Sequence, residues 1–184
     1  MKIHETSLSG LYIITPKINE DSRGYFFESF RSNSYESNLL PKDFVQENQS
    51  LSKKGTLRGL HYQLKHPQGK LVWVAKGVVV DMAVDIRKDS PTFGESFSTT
   101  LDDKKHMRLY VPPGFAHGFF VLSDYAIFQY KCTEYYHPED EYGIYWNDKN
   151  LKIDLGDSEK FLSEKDALLP RLNEIDRNLL PILH

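Results

Sequence analysis

The chain has 184 residues, 40% hydrophobic and 27% charged, with a formal net charge of −3 at pH 7. This is the balance of an ordinary globular protein, and the length suits one domain, residues 1–184, with a sizeable core. The charge gives no global pull toward nucleic acid, no apolar run is long enough to span a bilayer, and the opening MKIHETSLSG lacks the apolar stretch of a secretory leader, so a cytoplasmic location with no nucleic-acid or membrane partner is expected.

Short β-rich runs dominate from LYIIT at residues 11–15 onward. They continue through YFFESF, FVQENQS, TLRGLHYQ, KLVWVAK, VVVDMAVDI, ESFSTTL, RLYVP, AHGFFVL and AIFQYKCTEYY. Turn signals separate them: Asp21-Ser22-Arg23-Gly24, Lys53-Lys54-Gly55, Pro67-Gln68-Gly69 and Pro112-Pro113-Gly114. Many short strands at near-regular spacing predict an all-β sandwich or barrel. A short helix is expected from Ser32 to Leu40. Two more are expected in the tail, one beginning at Ser163 with a cap box, the other over Pro170 to Leu180. Cys132 is the sole cysteine, so no intrachain disulfide forms and a cysteine-based zinc site is a poor fit.

Several strands place polar residues where a simple core is apolar. Gln46, Asn48, Ser50 and Ser52 share one strand face, as do Asp81 and Asp85, and His61 and Gln63. Such faces either meet solvent or line a polar barrel interior that holds a hydrophilic ligand.

The stretch GTLRGLHYQLKHPQGKLVWVAKG, Gly55 to Gly77, resembles the first cupin motif in spacing but not in contents. His61 occupies the first histidine position, Gln63 the second and Lys70 the glutamate position. Pro112, Gly114 and His117 match the second cupin motif, with Val121 where asparagine is usual. A cupin-type β-sandwich or jelly-roll barrel with a few short, mainly C-terminal helices is therefore expected, without its usual metal. A protonated ammonium is no ligand and repels a divalent cation. A histidine near neutral pKa and a fixed ammonium suit another chemistry, removal of a proton beside a carbonyl. Epimerisation also needs an acid on the opposite face, and Tyr130 has the right chemistry.

The chain resembles the dTDP-4-dehydrorhamnose 3,5-epimerase family over nearly its whole length. DSRGYFFESF, VQENQSLSKKGTLRGLHYQ, QGKLVWVAKGVVVDMAVDIRKDSPTFG, VPPGFAHGF, YKCTEYYHPEDEYGIYWND and LSEKD carry the resemblance. It implies a cofactor-independent enzyme, a homodimer, that inverts carbons 3 and 5 of a dTDP-linked 4-keto-6-deoxyhexose. It further implies His61 as general base paired with Asp166, Tyr130 as general acid and Lys70 as holder of the enolate oxygen. Arg23 and Arg58 match cations near the diphosphate, and Tyr136 matches an aromatic that stacks on thymine. Gln46, Asn48, Glu28, His117, Glu141 and Lys165 match further ligand-contacting positions.

Taken alone, these residues also have simpler readings. Asp166 completes the cap of a helix starting at Ser163; Arg23 and Glu28 are surface charges beside a turn; Tyr136 is ordinary packing. On a regular strand Arg58 points away from His61, unless a bulge at Gly59 or a site shared between subunits intervenes. His66 and His106, outside the motifs, read as surface residues. Tyr145, and the absence of Trp-Pro from IDLGDSEKFLSEKD, depart from the family pattern. They leave open a 3-only epimerase or another keto-sugar nucleotide. A 3,4-ketoisomerase and a non-catalytic sugar-binding cupin are the rivals from other classes.

Overall fold

The computed structural model describes residues 1–36 and 40–183. Its strands are β1 (Lys2–Glu5), β2 (Tyr12–Thr15), β3 (Asn19–Asp21), β4 (Gly24–Phe26), β5 (Gln46–Lys53), β6 (Leu57–Gln63), β7 (Lys70–Lys76), β8 (Val78–Asp85), β9 (Ser96–Asp102), β10 (Arg108–Val111), β11 (Phe115–Val121), β12 (Tyr125–Cys132) and β13 (Glu141–Gly143). Two short helices accompany them, α1 (Ser32–Glu36) and α2 (Glu164–Ala167).

The strands form two main antiparallel sheets, one ordered β1-β2-β10-β7-β12-β5 and the other β13-β6-β11-β8-β9; β3 and β4 make a separate hairpin. Alternation along each strand explains why the sheets stack. Val72, Val74 and Phe128 of the six-stranded sheet meet Val79, Ala83, Phe115 and Phe119 of the five-stranded sheet in one buried cluster. The opposite face of the five-stranded sheet carries Met82, Val84, Ala116 and Phe120, covered by Ile144, Leu151, Leu155, Leu172 and Leu180 of the tail. On the other side, Ile14, Leu71 and Tyr110 are covered by Tyr35 and Leu40. The expected cupin-type sandwich is thus present, with the C-terminal segment as its outer wrap.

Several elements differ from expectation. Strand β12 stops at Cys132, so Tyr136 lies in the following loop. The run YFFESF is a strand only to Phe26. The first expected helix is present from Ser32 to Glu36, and its expected continuation over residues 37–39 lies outside the described residues. The tail from Pro170 to Leu180 holds two 3₁₀ turns, Leu172–Glu174 and Arg177–Leu179, instead of a helix. There Asp148 Oδ2 accepts from the Leu172 amide and Asp176 Oδ1 from the Asn178 amide. Side-chain bonds of this kind compete with a continuous helical ladder. His106 is 7% exposed, packed against both Tyr25 and Phe27 at ring distances of 4.6 and 4.8 Å, which corrects its surface reading. His66 is exposed and stacks on His137.

Candidate active site

A cavity of about 530 Å³ opens between the sheets. Arg58, His61, Lys70, His117, Tyr130, Glu141, Lys165 and Asp166 all line it. They come from both walls: His61 from β6 and His117 from β11 on one sheet, Lys70 from β7 and Tyr130 from β12 on the other.

His61 Nε2 lies 2.7 Å from Asp166 Oδ1. The Gly59 amide donates to the other Asp166 oxygen at 3.2 Å, and Ser163 caps α2 by accepting from the Asp166 amide at 3.1 Å. The capping reading of Asp166 therefore holds for its backbone, while its carboxylate faces the histidine. Burial works to raise the Asp166 pKa, but the bonds from His61, Gly59 and Ser163 outweigh it and hold the group below the ordinary carboxylate range. On the far edge of the imidazole, Nδ1 is 3.8 Å from Glu141 Oε1. Glu141 also pairs with Lys165 and accepts from the Tyr136 hydroxyl at 3.2 Å.

Across the cavity, burial, reinforced by Cys132 and Glu141, pushes the Tyr130 phenol up to about 12, so it keeps its proton at neutral pH. Burial lowers the pKa of the Lys70 ammonium, against the pull of Cys132, Glu141 and Asp81. On the facing sheet, Asp81 is fully buried and takes His117 Nε2 with both oxygens, at 2.9 and 3.0 Å. Sequence reasoning placed Asp81 on a polar face without giving it a partner. The register of β11 with β8 sets Phe119 against Asp81, two residues from His117, so a sheet neighbour supplies that partner. Asp85, on the same face, grips Arg87, Ser90 and Thr92 and ties down the turn after β8.

Arg58 and His61 line one cavity because β6 is irregular. His61 pairs with His117 and Arg58 with Phe119, so β6 spends one more residue than β11 over the same span. Gly59 sits in the extra segment at φ +101°, where a side chain is disfavoured. Gln63 occupies a cupin ligand position but faces backbone. Its amide donates to the His66 and Tyr135 carbonyls at 2.7 and 3.1 Å and accepts from the His137 amide at 2.9 Å. Among the described residues no three histidine, cysteine or carboxylate side chains converge as a metal cage.

The remaining expected residues lie away from the cavity lining. Tyr136, 46% exposed, stands at the rim; its amide donates to Gln46, which in turn donates to Asn48. Arg23 pairs with Asp21 and Glu28 with Arg31, both on the exposed segment around the β3–β4 hairpin. Phe161, which no motif pointed to, and Leu162, the first residue of LSEKD, also line the cavity; a bridge from Thr56 to Phe161 brings the tail there.

A family model described as dTDP-4-dehydrorhamnose 3,5-epimerase matches residues 5–174. The chain belongs to the dTDP-4-dehydrorhamnose 3,5-epimerase family. A family member from Methanothermobacter thermautotrophicus is 47% identical over 178 residues, 97% of this chain and 92% of the relative. One from Escherichia coli K12 is 46% identical over 180 residues, covering 96% and 97%. Among solved structures, a dTDP-6-deoxy-D-glucose-3,5-epimerase from Legionella pneumophila in complex with dTDP-4-keto-L-rhamnose superposes with a TM-score of 0.96 at 50% identity, covering 100% of this chain and 98% of that one. A 3′-monoepimerase from Streptomyces bikiniensis in complex with dTDP-quinovose gives 0.92 at 32% identity, covering 97% and 92%. This epimerase family therefore accounts for both the fold and the cavity.

Proposed function

We propose that this sugar-nucleotide epimerase inverts carbons 3 and 5 of a 4-keto-6-deoxyglucose carried by dTDP, with His61 as base and Tyr130 as acid on opposite walls. The observation that carries the reading is this opposition: His61 on one sheet, with Asp166 of α2 bound to its ring, faces Tyr130 and Lys70 on the other. The carbon-4 ketone acidifies both neighbouring hydrogens. His61 Nε2 points at Asp166, which orients the ring and steadies the imidazolium that forms when Nδ1 takes the proton. Lys70 stabilises the enolate oxygen, and the Asp81–His117 pair on the facing sheet keeps the wall opposite it polar. Tyr130 then delivers a proton to the other face. No net oxidation occurs, so the cycle closes without a cofactor.

Arg58 and Lys165 supply positive charge for the diphosphate, and Tyr136 offers a ring for thymine at the rim. A homodimer fits the placement of Arg23 and Glu28. They lie outside their own cavity beside Tyr25 and Phe26, which are 56% and 74% exposed, and their solvent-exposed ion pairs with Asp21 and Arg31 can be exchanged for contacts to a neighbouring copy's substrate. A cytoplasmic reaction is our reading from its substrate, a charged nucleotide sugar.

Incubation with dTDP-4-keto-6-deoxyglucose in deuterated water tests the assignment. Deuterium at carbons 3 and 5 of inverted product supports it. Deuterium at carbon 3 alone identifies a 3-epimerase, the reading favoured by the likeness to the Streptomyces monoepimerase. A migrated carbonyl identifies a ketoisomerase.

A further inference from the structure

Ser50 lines the cavity, and its hydroxyl oxygen is buried without a hydrogen-bond partner. Arg108 and Trp146 are the other described residues with such an atom, and neither lines this cavity. A serine hydroxyl offers one donor and two lone pairs, and a buried one that uses none is unusual.

Its neighbours on the same strand face are engaged. Asn48 accepts from Gln46 and donates to the Cys132 sulfur, and Ser52 accepts from Arg58 Nε at 3.1 Å. The register orders these rows. Asn48 stands opposite Tyr130, Ser50 opposite Phe128, and Ser52 opposite Ala126. Two residues of strand span about 6.6 Å. Ser50 therefore sits one row from the Tyr130 phenol on one side and one row from the Arg58 anchor on the other. A substrate with its sugar at Tyr130 and its diphosphate at Arg58 passes its sugar–phosphate junction over Ser50.

We infer that Ser50 is a positioning residue for the diphosphate, donating its hydroxyl to the phosphate oxygen beside the sugar. The inference rests on the roles proposed above for Arg58 and Tyr130. No hydrogen bond holds the side chain in place, so its hydroxyl can turn about Cα–Cβ to meet a ligand in the cavity that Ser50 lines. A phosphate oxygen suits this row better than a sugar hydroxyl. Arg58 spends Nε on Ser52 and leaves the rest of its guanidinium for an anion, which Ser50 and Arg58 then share.

The test is Ser50→Ala, read by titration with dTDP and with thymidine, by turnover kinetics, and by thermal melting. Affinity for dTDP is expected to fall about tenfold, the change for one lost bond to a charged group. The KM should rise similarly and kcat stay within about twofold. Thymidine affinity should not change, and the melting temperature should not fall, because the lost hydroxyl had no partner. Unchanged dTDP affinity overturns the inference, as does an equal loss for thymidine or a lowered melting temperature. A rise in KM with unchanged dTDP affinity moves Ser50 to a sugar hydroxyl and also overturns it. Failure of the unaltered protein to epimerise the keto-sugar sinks the functional reading instead, whereas dTDP binding alone decides the Ser50 contact.

Discussion

Gly59 and His117 touch backbone to backbone: a β-carbon at Gly59 would lie 2.6 Å from the His117 carbonyl oxygen and 2.9 Å from the Gly118 α-carbon. This close approach lets β6 carry one extra residue against β11 and so turns Arg58 and His61 into the same cavity. Gly59→Ala meets both a backbone clash and a positive φ. It should destabilise the fold by about 3 kcal/mol and lower turnover more than the stability loss explains, because the Gly59 amide also holds Asp166. Denaturant unfolding beside kcat at a temperature where the variant is folded checks this. A variant of native stability and activity removes the bulge from the argument.

How far the site was legible follows from the same region. The cupin spacing is written in local runs, so His61, Lys70 and His117 are singled out by position and Tyr130 by its chemistry and the family resemblance; all four line the cavity. Arg58 was not settled, because strand parity assumes a regular ladder and the irregularity at Gly59 is a tertiary contact with β11. Asp85 was grouped with Asp81 by alternation, yet the turn bearing Arg87, Ser90 and Thr92 claims it. The role of Gln63 as a clamp on the loop of Tyr135 and His137 had no sequence signal, since its partners are backbone atoms more than 70 positions away. His106 reads as polar in sequence and is buried because two aromatic rings from the β3–β4 segment pack against it.

Asp166 ties stability to acid. Its folded pKa lies below the ordinary carboxylate value of about 3.9, so its contribution is complete above that value and is lost as pH falls through the folded one. Asp166→Asn should cost about 2 kcal/mol near neutrality, and the gap in melting temperature from the unaltered protein should close below about pH 4. Activity should drop by about 10²-fold or more at every pH, through loss of the partner that orients His61. A melting-temperature gap that ignores pH would falsify the charge-assisted bond as its source.

Full turnover is expected in excess chelator. Two of the four cupin ligand positions carry Lys70, which as an ammonium has no lone pair to offer a metal, and Gln63, whose amide is spent on backbone groups. Elemental analysis of the active protein, paired with assays before and after metal removal, settles the point. Stoichiometric iron, zinc or manganese whose loss ends activity rules out the mechanism.

The division of proton work between the two sheets predicts that two variants fail differently. His61→Ala should abolish both turnover and exchange of substrate hydrogens with solvent, because nothing removes a proton. Tyr130→Phe keeps the ring among Phe128 and Val72 and loses only the hydroxyl. The base still works there, so deuterium exchange should persist while inverted product falls by the 10²–10⁴-fold typical of a positioned acid, about 3–5 kcal/mol of barrier. Lys70→Met should suppress exchange and inversion together, since in the proposed mechanism both pass through an enolate and Lys70 lines the cavity where it would form. Exchange and inversion measured on one sample of the Tyr130→Phe protein, by mass spectrometry and proton NMR, decide the assignment. If both vanish in parallel, or if inversion survives, the phenol on β12 is not the acid of the second face, and the proton must reach that face from another group on the six-stranded sheet.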